Sequence, residues 1–181
     1  MKRQILDLKS IMPIKTVKIG RKTVKIPKLS LRHHKLLNTV RDVDVNMKIL
    51  IDSIHKGLTP AESLIVCVHL MAFNGRIKNE VTLDGNTFKV DDIFISQKLK
   101  FHSGGKDYLF KSPEIFNNLT DAENILTECY LGEPIDFNSM PAYVINWARD
   151  ITTMISVTSD KGLTVGGLAA ILELFEGTLN G

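Results

Sequence analysis

The stretch Thr59-Pro60-Ala61-Glu62, followed by Leu64 to Phe73, constrains this chain more than any other. Thr59 is a good N-cap, Pro60 suits the first helical position, and Glu62 stands three residues after the cap to complete a capping box. The residues that follow, Leu-Ile-Val-Cys-Val-His-Leu-Met-Ala-Phe, are apolar on nearly every side of a helix. Such a helix belongs in the middle of a domain, with the rest of the chain laid around it. It is too short to span a bilayer, which needs about 18 apolar residues, and His69 interrupts it. The 181 residues fit one domain of ordinary size, or one with a small appendage.

The front of the chain is of another kind. Thr16-Val17-Lys18-Ile19 and Thr23-Val24-Lys25-Ile26 flank Gly20-Arg21-Lys22. In each, Val and Ile share one face of an extended strand while Thr and Lys share the other. A Gly-containing connection between such runs signals a hairpin, and Pro27, lacking an N–H, ends the pairing. Charge is lopsided here. Residues 1–41 hold twelve of the 23 Lys and Arg but one of the 20 Asp and Glu, Asp7. A net charge of +3 therefore hides a front of about +11 and a remainder of about −8.

The elements in between follow from period and punctuation. Residues 1–14 read as a basic arm with apolar anchors. Ser30 can cap a helix in which Leu31, Leu36, Leu37 and Val40 share a stripe, and Val45, Leu50, Ile51 and Ile54 form a second stripe stopped by Gly57. After Asn74-Gly75 the period falls to two. Asp84-Gly85 marks a tight hairpin, Ile93 to Ile95 is strand-like, and Ser103 to Asp107 joins a further pair. Asp121 to Leu131 (a helix that Gly132 is expected to close), Pro141 to Ile155 and Val165 to Phe175 return to helical spacing. The expected fold is α+β: a mainly helical body, with an N-terminal β-hairpin and a small antiparallel β insertion in the middle. Residues 1–29 form the arm and hairpin, and 30–181 a single α+β domain. Its helices are expected over 31–56, 60–73, 121–131, 141–157 and 165–176, with the β insertion over 76–111.

The residues point away from catalysis. Cys67 and Cys129 are the only cysteines, too few for a disulfide framework or a four-cysteine zinc site, and they fit a reducing, intracellular setting. The N-terminus lacks the apolar segment of a secretory signal. Cys67 and His69, two apart on a helix, diverge by about 200°, and His33-His34 diverge similarly. No HExxH, CxxC, GxxxxGK[ST], GxGxxG or GxSxG pattern occurs; Ser103 to Lys106 and Gly162 to Gly167 read as plain turns. No enzyme activity, cofactor or metal is expected. Three readings of the basic front stay open. It can neutralise phosphates of a nucleic acid, as a regulator would, although no aromatic for base stacking precedes Leu70. It can face an acidic protein surface, the favoured reading, or be a merely solvated face.

The order of features resembles the T4-type phage baseplate hub and hub-assembly (tail assembly chaperone) proteins. In those, a short hairpin precedes a segment of the type P-x-L followed by K-x-L-L. Here Pro27-Lys28-Leu29 to Lys35-Leu36-Leu37 is similar. Met140-Pro141 and Gly166-Gly167-Leu168 to Leu174-Phe175 look like their C-terminal helix starts. Some relatives carry cysteine pairs around the middle insertion, which this chain lacks. The resemblance implies a non-enzymatic part or helper of a contractile-tail baseplate, binding hub or tail-tube proteins in the host cytoplasm during assembly, with the virion as a second location. It implies no membrane partner, and leaves a homo-oligomer open. The contact residues expected are Lys18, Gly20, Arg21, Lys22 and Lys25, acting by strand addition or charge complementarity.

Overall fold

The structure, a computed structural model, describes residues 14–31, 33, 35, 43–115, 119 and 121–177. The expected arm and the helix stripe of Leu36, Leu37 and Val40 lie outside these residues. In chain order the elements are β1 (Ile14–Ile19), β2 (Lys22–Pro27), α1 (Val43–Ile54), α2 (Pro60–Phe73), β3 (Glu80–Leu83), β4 (Asn86–Lys89) and β5 (Ile93–Ile95). They continue with β6 (Lys100–Ser103), β7 (Lys106–Leu109), α3 (Ala122–Cys129), α4 (Ile145–Thr152), β8 (Ile155–Thr158), β9 (Thr164–Gly166) and α5 (Leu168–Glu176).

Helix α2 is the centre, as its composition requires. Thr59 accepts from the Glu62 amide and the Glu62 carboxylate accepts from the Thr59 amide, so two donors at the helix start are satisfied reciprocally. Its far end closes on Gly75, which adopts φ 73° while its N–H and that of Arg76 reach back to Ala72 and Met71. That is a Schellman closure, and glycine takes its left-handed position without a Cβ penalty. Every residue from Ala61 to Leu70 is buried. Around it pack Val17, Ile19, Val24 and Ile26 of the hairpin, Leu50 and Ile51 of α1, Phe88 of β4, Ile155 and Val157 of β8, and Ile171, Leu174 and Phe175 of α5.

A second core has its own members: Phe101, Phe110, Ile125, Leu126, Cys129, Phe137, Val144, Trp147, Ala148 and Ile151. Phe101 stacks on Trp147 with ring centroids 5.0 Å apart and planes 16° apart, and Phe110 meets Phe101 edge-on at 5.6 Å. Offset and edge-to-face pairs of this kind contribute about 0.5–1.5 kcal/mol each beyond the area they bury. All these residues fall between β5 and β8, which pair with each other antiparallel. The second core is therefore a lobe inserted between two bonded strands. Its neck is tied by the Ser96 and Lys98 amides, which donate to Met154 and Asp150, and by the Gln97 side chain, which donates to Ile151.

The expectation of a mainly helical body does not hold. Among the described residues, nine strands stand beside five α-helices and make four small antiparallel sheets. The chief misreading is the segment after Thr152. Ile155 to Val157 is buried on both faces, and a short run of that kind shows no period that separates strand from helix. A partner strand 60 residues upstream decides for strand. Thr164 to Gly166 then pairs with β8, so helix begins only at Leu168. Nor do the middle strands form one insertion sheet. β3–β4 and β6–β7 are separate hairpins turning at Asp84-Gly85 and Gly104-Gly105, while β5 joins β8.

Candidate functional site

The hairpin is tighter than its sequence suggested. Ile19 pairs with Lys22, which leaves Gly20 and Arg21 as a two-residue turn. Gly20 has φ 58°, and positive φ at the first central residue alone is the II′ pattern that matches strand twist. Val17, Ile19, Val24 and Ile26 face α2 and are buried, so Thr16, Lys18, Thr23 and Lys25 face outward. Of the expected contact residues, Lys18, Gly20, Arg21 and Lys25 are exposed. The three cations among them form no ion pair with any described residue.

Lys22 is placed differently. Its ammonium donates to Glu62 Oε2 at 2.6 Å and to the Gly57 carbonyl at 2.8 Å. Burial pushes the Glu62 carboxyl up, but the Lys22 and Thr59 hydrogen bonds outweigh it and hold the group below its ordinary range. Lys22 thus clamps the turn onto the start of α2. At the other end of the hairpin Asn74 has a similar task. Its amide nitrogen donates to Pro27 and Leu70 carbonyls at 3.1 and 2.8 Å, and its oxygen accepts from the Leu29 amide at 2.7 Å. Lys28 adds a bond to the Phe73 carbonyl and lies over the Phe73 ring. Sequence reasoning used Asn74-Gly75 only as a helix stop. A polar side chain that can both donate and accept, placed at a helix end, was the available signal.

Between β1 and β5 lies an open groove of about 490 Å³, within the roughly 300–1,000 Å³ range of ligand clefts. Ile65 and His69, one turn apart on α2, face it. At its border Lys15 donates to Asp91 at 2.7 Å, which holds the Asp91 carboxyl below its ordinary range. His69 is 2% exposed, and its Nδ1 has no hydrogen-bond partner; Asp91 Oδ1 is 3.8 Å away. Burial, and next the Lys15 charge, push the imidazole pKa down to about 4 despite the opposing pull of Asp91. The ring is therefore neutral at pH 7.

Nothing in this arrangement activates a nucleophile. Burial raises the Cys67 thiol to about 11 and also raises Cys129, and the two lie in different cores. Among the described residues no three His, Cys, Asp or Glu side chains gather as metal ligands, and no helix is long and apolar enough to cross a membrane.

The comparisons agree with a structural role. A family model described as the baseplate hub distal subunit matches residues 26–175, beginning near the end of the hairpin's second strand. The baseplate hub assembly protein gp28 of Enterobacteria phage T4 is 37% identical over 178 residues, which cover 94% of this chain and 100% of that protein. No solved structure matches. The chain belongs to the baseplate hub distal subunit family of bacteriophage proteins.

Proposed function

We propose that this chain is a non-enzymatic hub or tail assembly protein that works by binding hub or tail-tube proteins through the outer face of its basic hairpin. The observation that carries the reading is the contrast between the hairpin's two faces. The inner face is locked into the main core, while Lys18, Arg21 and Lys25 present unpaired positive charge on a rigid ribbon. Gly20 lets the turn project, and Lys22 holds it against Glu62 from beneath. Charge on a fixed element steers and orients an acidic partner more than it tightens the complex. The protein acts in the host cytoplasm during assembly, with the finished particle as a second location.

Co-expression with the hub and tail-tube proteins of the same phage, followed by size-exclusion chromatography, tests this. A comigrating complex is expected, weakened about tenfold or more in a Lys18→Glu/Lys25→Glu variant whose melting temperature is unchanged. The reading is wrong if no tail component comigrates, or if the variant binds as well as the parent. Should the same variant instead lose a steeply salt-dependent affinity for duplex DNA, the face belongs to nucleic acid.

A further inference from the structure

We propose that the groove between β1 and β5 is a slot for one extended strand of a partner protein, whose residues alternate acidic with β-branched apolar. This rests on the protein-docking reading above and names where and how the partner binds. The added strand would join both flanking edges and merge the sheets into the order β2-β1-partner-β5-β8-β9.

The hydrogen-bond register leaves both edges open toward the groove. In a two-residue hairpin Ile19 and Lys22 exchange both bonds, and the pairs alternate from there. Val17 and Lys15 therefore bond inward, whereas Lys18 and Thr16 turn their N–H and C=O outward. Pro27 agrees with this phase, because it sits opposite Ile14 at a pair that needs no donor. On the other side the Ser96 amide donates to Met154, so Phe94 bonds β8 and Ile95 turns outward. Independent support comes from Gly167, which donates to the Ile155 carbonyl and shows that Ile155 serves β9 rather than β5. Thr16, Lys18 and Ile95 thus offer backbone donors into one groove, and no described residue accepts them.

The side chains select the occupant. Ile65 and the buried His69 make the floor, over which inward residues of a strand would be apolar. Outward residues would neighbour Lys18, which favours a carboxylate opposite it. Lysines commonly blunt a strand edge against chance pairing, and β1 alone would fit that purpose. β5 does not fit it: its sequence is Ile-Phe-Ile, with Phe94 44% and Ile95 43% exposed. A second copy of this chain is a poor occupant, because its own hairpin would set lysines against Lys18.

Amide hydrogen exchange on the co-expressed complex is the test. Strand addition predicts that Thr16, Lys18 and Ile95 slow by about tenfold or more relative to the free chain. Thr16→Pro and Ile95→Pro, each removing an outward N–H, should weaken the complex about tenfold. If either variant melts early, exchange on the parent complex still decides. A complex that forms with these three amides unprotected overturns the slot and leaves the docking reading standing. If no complex forms, both fall. Protection that arises in the chain alone, rising with its concentration, would make the occupant a second copy and also overturn the proposal.

Discussion

Glu62 shows how one side chain can serve two levels of structure. It closes the capping box of α2 and receives the Lys22 ammonium, so a local helix signal and a tertiary clamp share one carboxylate. Glu62 is largely buried, and removing its cation leaves a charge with little water. Lys22→Ala should lower stability by about 2 kcal/mol, the range for a hydrogen bond to a charged group, measured by urea unfolding at pH 7. Because the folded Glu62 carboxyl is depressed, this stabilisation is present above pH 4.5 and fades as pH falls through the lower folded value. The variant and parent should therefore converge in acid. His69 titrates with a different consequence. Its unfolded value near 6.5 lies above the folded value of about 4, so between those limits the unfolded chain takes a proton the folded one refuses. Stability should fall as pH drops from 6.5 toward 4, by up to about 3 kcal/mol, with Lys15 and Asp91 the charged groups facing the ring. His69→Leu should flatten that slope, as read from melting temperature across the pH range.

At the scale of elements, the turns that were legible were those whose backbone demands a particular residue. Asp84-Gly85 takes positive φ at both positions, the pattern its dipeptide announces. Gly132 was misread for an instructive reason. It was expected to stop α3, yet that helix ends at Cys129 with Tyr130 in extended conformation, and Gly132 does not have positive φ. What requires glycine there is the Tyr130 ring, which occupies the space where a Cβ would stand. That ring is held by Tyr108, Phe110 and Phe137 at centroid distances of 6.1, 5.5 and 5.5 Å, so it cannot simply swing aside. Gly132→Ala should cost about 1–3 kcal/mol, the usual penalty for overpacking, and calorimetry would measure it. Composition can announce a glycine, but only the folded neighbour tells whether its conformation or its smallness is needed.

On the scale of the whole molecule, two cores meet at the strand pair β5–β8. Trp147 touches Phe101, Tyr108, Phe110 and Tyr143 and belongs to the inserted lobe alone. Trp147→Ala should cost about 3–5 kcal/mol. Its effect on native-state hydrogen exchange should concentrate in residues 97–153, while amides of Val66 and Val68 in α2 keep their protection. Uniform loss across both cores would show instead that the lobe and the main core unfold together. The chain by itself determined its centre and its hairpins, because capping boxes, Asp-Gly turns and two-residue alternation act over a few residues. The apolar α2, the amphipathic Val17–Ile26 ribbon and the lopsided charge were all set at that range. Tertiary structure alone decided that β5 pairs with β8, that Ile155 to Thr158 is a strand, and that β1 and β5 face each other across α2. Those outcomes depend on partners 60 or more residues apart, where pairing is chosen by competition for burial and hydrogen bonds that local pattern does not encode.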